Sequence, residues 1–147
     1  MDLSKYPKTQ FDDFDLKINP NMRGDALRRR LGEIMANYET ICAYNDHALY
    51  LLKKAEYDIG EVEALAWGSV DRTLKVNDQR KEVRRIIVDY QGSRVTILDM
   101  ERKLVSVEYI ANRGKSKLNE AAKVLDLGRT LLSFDKQELG RQMGGEG

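Results

Sequence analysis

The sequence is poor in the residues that build disulfide frameworks, metal sites and aromatic-rich cores. Its 147 residues include one cysteine, one histidine, one tryptophan, three phenylalanines and two prolines. A single cysteine, Cys42, excludes an intrachain disulfide and is typical of a reducing compartment. A single histidine, His47, cannot build a zinc site, so we expect no metal centre. Few aromatic residues and 33% charged residues favour long solvated helices that each bury one stripe.

Sequence patterns for catalysis and cofactor binding are also missing. The chain has neither the GxxxxGK[ST] pattern of a P-loop nor a GxGxxG pattern. Cys42 and His47 are five residues apart on a predicted helix, which points them in different directions and excludes a nucleophile pair. The carboxylates are interspersed with lysine and arginine, which is typical of a solvated surface. We therefore predict that the protein is not an enzyme and has no cofactor.

Long apolar runs are absent as well. No apolar segment approaches the roughly 20 residues that a membrane span needs. Residues 1–10 lack the basic and then apolar pattern of a signal peptide. We therefore expect a cytoplasmic protein without a membrane partner.

The first 24 residues are predicted to form an extended N-terminal arm. Asn19-Pro20-Asn21 has the composition of a turn, and residues 11–16 alternate aromatic or apolar with acidic side chains. Such a segment either docks into a basic, apolar groove on another protein or a neighbouring subunit, or packs back on its own helices. Single apolar residues usually just pack, which favours the second alternative.

A first long helix is predicted to begin at Asp25, a suitable N-cap after Gly24. From Leu27 to Ala66, mainly apolar residues recur at alternating spacings of four and three, the 3.5-residue period of a coiled-coil seam. Asn45 occupies an a position, where a buried asparagine costs stability but fixes the register. This stripe packs either against another subunit or within its own subunit. The residues assigned to oligomerisation are Leu31, Ile34, Tyr38, Ile41, Asn45, Leu52 and Ile59.

The segment from Val83 to Ala111 carries a second stripe with the same spacings, which predicts a second long helix. A β-hairpin competes for these residues, because they are rich in β-branched side chains and Gln91-Gly92-Ser93 suits a turn between residues 85–90 and 94–98. The length of the periodic pattern and the helix formers at 99–103 favour the helix.

The predicted fold is mainly α, with two long heptad-patterned helices in a helical hairpin or coiled-coil-like oligomer. Arg113-Gly114 predicts a helix end, and Ser116 begins a shorter C-terminal helix. The predicted organisation is an arm (1–24), a helical oligomerisation and binding domain (25–133) and a flexible tail (134–147).

Positive charge is concentrated in the second half of the chain. Residues 25–68 contain five basic and eight acidic side chains, whereas residues 69–115 contain eleven and seven. Between Arg72 and Arg85, four of the cations are spaced to share one helical face near a helix start, which suits phosphate. Repeated in an oligomer, this face would follow a nucleic-acid backbone; an ordinary charged surface is the alternative. The predicted nucleic-acid-binding residues are Lys53, Lys54, Arg72, Lys75, Arg80, Lys81, Arg84, Arg85, Arg113 and Lys115.

Three stretches resemble the recombination mediator proteins of T-even-type phages. Leu52-Lys53-Lys54, followed by Tyr57 and Gly60, is similar to the basic patch that ends the family's first long helix. Arg72-Thr73-Leu74, followed by Asp78 and Val83, resembles the entry into the second helix, and Ile110 with Arg113-Gly114-Lys115 is similar to its end. The resemblance covers residues 27–117. Lys115 replaces an aromatic residue of the family, and residues 116–147 have no counterpart in it.

This resemblance implies a small helical protein that forms rings, binds single-stranded DNA and helps to load a RecA-like recombinase. Lys53 and Lys54 would contact the DNA. The implied partners are single-stranded DNA, further copies of the chain, a recombinase and a single-strand-binding protein, in the host cytoplasm if the protein is phage-encoded. The alternative function is a phage structural, packaging or scaffolding protein whose heptads drive assembly.

Overall fold

The computed structural model describes the backbone of residues 8–144 and the side chains of residues 8–141. Its elements are predominantly helical, which confirms the predicted fold class in its coarse form. A short 3-10 helix, Gln10–Asp13, precedes α1 (Gly24–Gly68) and α2 (Val76–Val83). A two-stranded sheet of β1 (Val88–Tyr90) and β2 (Ser93–Val95) then leads into α3 (Ile97–Gly144).

The chain divides into two compact units. Unit 1 comprises residues 1–46 and 112–147, and unit 2 comprises residues 47–111. Each unit therefore contains a segment of α1 and a segment of α3 with its own buried residues.

The predicted stripe on α1 is the buried side of the helix. Leu27, Ile34 and Ile41 have no exposed surface, and Ala48, Ala55, Val62 and Ala66 are also buried. Ile34 and Ile41 are already covered within one chain, so these two residues pack within their own subunit. The prediction that they face another subunit is wrong. The other residues assigned to oligomerisation are half-buried in the single chain: Leu31, Tyr38, Asn45, Leu52 and Ile59.

In unit 1, the segments of α1 and α3 run antiparallel. A Cβ atom built on Gly128 would overlap the side chain of Leu31, and one built on Gly114 would lie 2.7 Å from Asn45 Oδ1. These two contacts are fourteen residues apart on both helices and in opposite directions. Fourteen residues are two heptads, so both contacts belong to the same register of the two helices.

The helix end predicted at Arg113-Gly114 is wrong. Both residues lie in the interior of α3, and Gly114 is buried where Phe11 and Asn45 approach its backbone. The glycine is therefore a point of close packing and not a cap. The shorter helix predicted from Ser116 is a continuation of α3, and residues 134–144, assigned to a flexible tail, are helical.

The described part of the N-terminal arm, residues 8–24, packs on its own chain, as the second alternative predicted. Phe11 is fully buried and Leu16 is 2% exposed. The ring of Phe11 meets Tyr44 edge-on with 6.4 Å between ring centroids. Next to it, Asp12 forms an ion pair with Arg113, and this guanidinium lowers the pKa of the Asp12 carboxyl below its ordinary value. Arm and helices thus form one packed unit.

Unit 2 contains the hairpin that the sequence offered as a competitor to helix. Val88 pairs with Val95 and Tyr90 with Ser93, and the two-residue turn has positive φ at Gln91 (48°) and Gly92 (79°). Two positive φ angles are the requirement of a type I′ turn, which matches the twist of the flanking strands. The prediction of one helix from residue 83 to residue 111 is therefore wrong for residues 84–96, where α2 has ended and the hairpin lies.

The apolar residues of this segment build the core of unit 2. Val83, Val88, Ile97 and Met100 form one buried cluster with Val62, Ala66 and Val70. The cluster accepts side chains from helix, strand and loop alike. The spacing that predicted a helical stripe thus describes which residues are buried but not which backbone carries them.

The two glycines at 60 and 114 provide a matched prediction. In a helix interior, glycine to alanine normally stabilises by about 0.5–1 kcal/mol, and a Cβ on Gly60 meets nothing within 4 Å. A Cβ on Gly114 would lie 2.7 Å from Asn45 Oδ1 and 2.8 Å from Phe11 Cζ, and such overpacking typically costs about 1–3 kcal/mol. We expect Gly60→Ala to raise the urea midpoint and Gly114→Ala to lower it. Equal increases for both variants would contradict the close packing at Gly114.

Candidate nucleic-acid interface

Six of the predicted cations lie on α2 and the turns around it. Lys75 precedes α2, Arg80 and Lys81 lie in its last turn, and Arg84 and Arg85 follow it. The prediction that four of these residues share one helical face at a helix start is wrong, because α2 ends at Val83. Cations at a helix C-terminus complement the carbonyl end of the helix and do not extend an amide site for phosphate.

Two of these cations are engaged within unit 2. Arg84 forms an ion pair with Glu101 at 2.6 Å. The Arg72 guanidinium lies 5.7 Å from the centroid of the Trp67 ring and donates to the Trp67 carbonyl oxygen at 2.9 Å. The remaining four are exposed and form no ion pair with any residue that the structure describes: Lys75, Arg80, Lys81 and Arg85.

A more compact group of predicted binding residues lies on α1, outside the buried side of the helix. Ala48, Ala55 and Val62 mark the buried side of the helix in unit 2. At about 100° per residue, Lys53 points away from that side and Lys54 points to its flank. Both lysines are exposed, and neither forms an ion pair with residues 8–141.

Two exposed tyrosines bracket these lysines. Tyr50 is 62% exposed and Tyr57 is 65% exposed, although large aromatic side chains usually bury most of their surface. They are seven residues apart and project from the same side of α1. We refer to Tyr50, Lys53, Lys54 and Tyr57 as the tyrosine–lysine strip.

The predicted binding residues included the lysines of the strip but neither tyrosine. The signal was present, because positions 50 and 57 fall outside the buried stripe and repeat at one heptad. His47 lies beside the strip: its ring stacks on that of Tyr50, with 6.4 Å between ring centroids and an interplanar angle of 22°. The single histidine thus has a packing partner in Tyr50.

Arg113 and Lys115 belong to unit 1, whereas the other eight predicted binding residues belong to unit 2. Arg113 pairs with Asp12 of the arm, so it contributes to holding the arm. Lys115 is exposed on α3.

A buried carboxylate ties the hairpin to α1 within unit 2. Tyr90 donates its hydroxyl hydrogen to Asp58 Oδ1 at 2.7 Å, and Asp58 is 3% exposed. This hydrogen bond, with smaller effects of burial and nearby charge, raises the pKa of Tyr90 to about 12. A negatively charged acceptor favours the protonated phenol, so the contact supports the folded state while Tyr90 stays neutral.

This pair predicts a pH dependence in the alkaline range. The folded pKa of Tyr90, about 12, lies above its ordinary value of 10.0. Its contribution to stability is therefore complete below pH 10 and is lost as the pH rises through about 12. In an absorbance titration at 295 nm, Asp58→Asn should bring the ionisation of Tyr90 down towards pH 10, and Tyr90→Phe should remove that step. An identical titration curve for wild type and Asp58→Asn would contradict the assignment.

Two other features are absent from the part of the chain that the structure describes. Within it, no group of three or more histidine, cysteine, aspartate or glutamate side chains is arranged to hold a metal ion. Among the same residues, no helix is both long enough and apolar enough to cross a bilayer.

Comparisons with known proteins returned no relative. No family model, no curated protein and no solved structure matches the chain.

Proposed function

We propose that this protein is a non-enzymatic, homo-oligomeric single-stranded DNA-binding protein that acts as a phage-type recombination mediator and helps to load a RecA-like recombinase. The observation that carries the proposal is the tyrosine–lysine strip. It combines two lysines free of internal ion pairs among the described residues with two aromatic rings that lie largely in solvent. Cations that follow a backbone and aromatic rings that accept bases are the two components of sequence-tolerant binding to single strands.

The lysines of the strip suit a phosphate backbone. An exposed lysine without an ion-pair partner binds phosphate without first breaking an internal contact, and it releases counterions from the DNA when it does so. Lys75, Arg80, Lys81 and Arg85 offer the same chemistry elsewhere in unit 2. We therefore place the primary contact at the strip and a secondary, electrostatic contribution at these four residues.

Self-association draws support from apolar surface that the single chain leaves uncovered. In unit 2, Val76 is 61% exposed, Ile87 56%, Val105 49% and Leu98 40%. Leu98 and Val105 are seven residues apart on α3, so they project from one side of that helix. Burial of such side chains between copies is the ordinary route to a homo-oligomer.

The same apolar surface favours a second candidate, an assembly protein of the structural, packaging or scaffolding kind. In that case Leu98, Val105 and their neighbours drive association, and the strip only keeps the protein in solution. The two candidates differ in whether nucleic acid binds.

Fluorescence anisotropy with a labelled single-stranded oligonucleotide at low salt tests the proposal, with a duplex of equal length measured alongside. We expect binding that prefers the single strand. Absence of binding to either probe would overturn the proposal and leave the assembly protein as the better account.

A further inference from the structure

We infer that Tyr50 and Tyr57 are base-stacking residues, which insert against the exposed bases of a single strand while Lys53 and Lys54 hold its phosphates. This inference rests on the proposed function and assigns specific contacts to it. Stacking on a base requires a ring face that solvent already reaches, and both tyrosines satisfy this at 62% and 65% exposure.

The geometry of α1 sets the spacing of the two rings. Seven residues at a rise of about 1.5 Å each place Tyr50 and Tyr57 about 10.5 Å apart along the helix axis. Successive nucleotides of a stacked strand are about 3.4 Å apart. The two rings therefore bracket a stretch of about three nucleotides if the strand follows the helix.

The lysines lie on either side of the line between the tyrosines. Consecutive helical residues differ by about 100° in direction, so Lys53 and Lys54 point about 50° to each side of that line. A strand that passes along the tyrosines thus finds a cation on both flanks. This arrangement fits one backbone with bases turned towards the helix.

Charged neighbours bound the strip at both ends. Asp46 lies before it and Glu61 after it, both exposed, so a polyanion is disfavoured beyond the two ends. The His47 ring lies nearly parallel to that of Tyr50, with 6.4 Å between ring centroids, at the N-terminal end of the strip.

Stacking of bases on Tyr50 and Tyr57 favours single strands over duplex. In a duplex the base faces are already stacked on one another, and tyrosine rings reach them only after the pair has opened. Lysine contacts alone would bind duplex phosphates as well. Discrimination between single strand and duplex therefore comes from the tyrosines. The lysines provide affinity at low salt.

An oligonucleotide with abasic residues separates these two contributions, because it keeps the phosphates and lacks the bases. We expect the full-length wild-type chain to bind the normal strand more tightly than the abasic strand. Tyr50→Ala and Tyr57→Ala should each weaken binding to the normal strand about tenfold and leave binding to the abasic strand unchanged. Tyr50→Phe and Tyr57→Phe, which keep the ring, should retain the affinity of wild type.

Phe134→Ala is the matched control, since Phe134 is 57% exposed on the part of α3 that belongs to unit 1. It should bind both strands as wild type does. Equal binding of normal and abasic strands by wild type, or equal losses on both strands in the alanine variants, would overturn the stacking role and leave the proposed function standing. Absence of binding to both strands would overturn the proposed function itself.

Discussion

Phe11→Ala should lower the free energy of unfolding of unit 1 by about 3–5 kcal/mol, the usual cost of truncating a buried phenylalanine. Phe11 has no exposed surface, and its ring approaches the backbone of α3 at Gly114. The ion pair between Asp12 and Arg113 lies next to it, so loss of the ring also weakens the contact that holds the arm. The measurement is urea unfolding followed by circular dichroism.

Phe14→Ala provides the control for this variant. Phe14 is half-buried and also lies near Tyr44, with 5.9 Å between ring centroids. Its truncation removes an aromatic ring from the same arm at a smaller cost, because less surface returns to water. In limited proteolysis, Phe11→Ala should also speed cleavage after Lys17 in the arm. Equal destabilisation by the two variants would contradict the anchoring role of Phe11.

Charge reversal of the strip should have the largest effect on binding. Lys53→Glu combined with Lys54→Glu replaces two phosphate-binding cations with two repelling anions, and we expect the affinity for a single strand at low salt to fall about a hundredfold or more. Both positions are exposed on the outer side of α1, and glutamate is a good helix former. The circular dichroism spectrum and urea midpoint should therefore remain those of wild type.

The matched control reverses two lysines of unit 1. Lys123 and Lys136 are exposed on α3 and form no ion pair with a described residue, so Lys123→Glu with Lys136→Glu changes the net charge by the same amount. This variant should lose little affinity. A similar loss in both variants would mean that total charge, and not the strip, governs binding.

The buried side of α1 was predictable because a long helix carries its apolar residues at one period. The stripe from Leu27 to Ala66 is consistent only with one buried face, and the structure buries or half-buries each of its members. The sequence left open which part of the protein covers this stripe. That answer depends on residues such as Gly114 and Gly128, which are distant in sequence.

The segment after residue 83 shows where periodicity fails. Val83, Val88, Ile97 and Met100 are buried in one cluster, but a helix end, a strand and a new helix supply them. Short apolar runs do not distinguish helix from strand. Gln91-Gly92 was the decisive signal in the local sequence, because glycine readily adopts positive φ. The hairpin turn has positive φ at both residues.

Gly114 illustrates a second limit. Glycine after arginine is a common helix end, and it is equally a place where another group approaches a helix closely. Choosing between them requires knowing that Phe11 packs opposite, which the local sequence does not contain. The lysines of the strip, in contrast, were predicted as binding residues from their charge and from the family resemblance. The exposure of the tyrosines follows from the position of the buried stripe.

The salt dependence of single-strand binding shows whether Lys53 and Lys54 hold phosphates of the strand. For single strands, the logarithm of the binding constant falls with the logarithm of the salt concentration by about 0.7 per phosphate contact. If Lys53 and Lys54 each hold a phosphate, Lys53→Ala with Lys54→Ala should make this slope shallower by about 1.4. A slope equal to that of wild type would show that these lysines do not contact the backbone and would contradict the account.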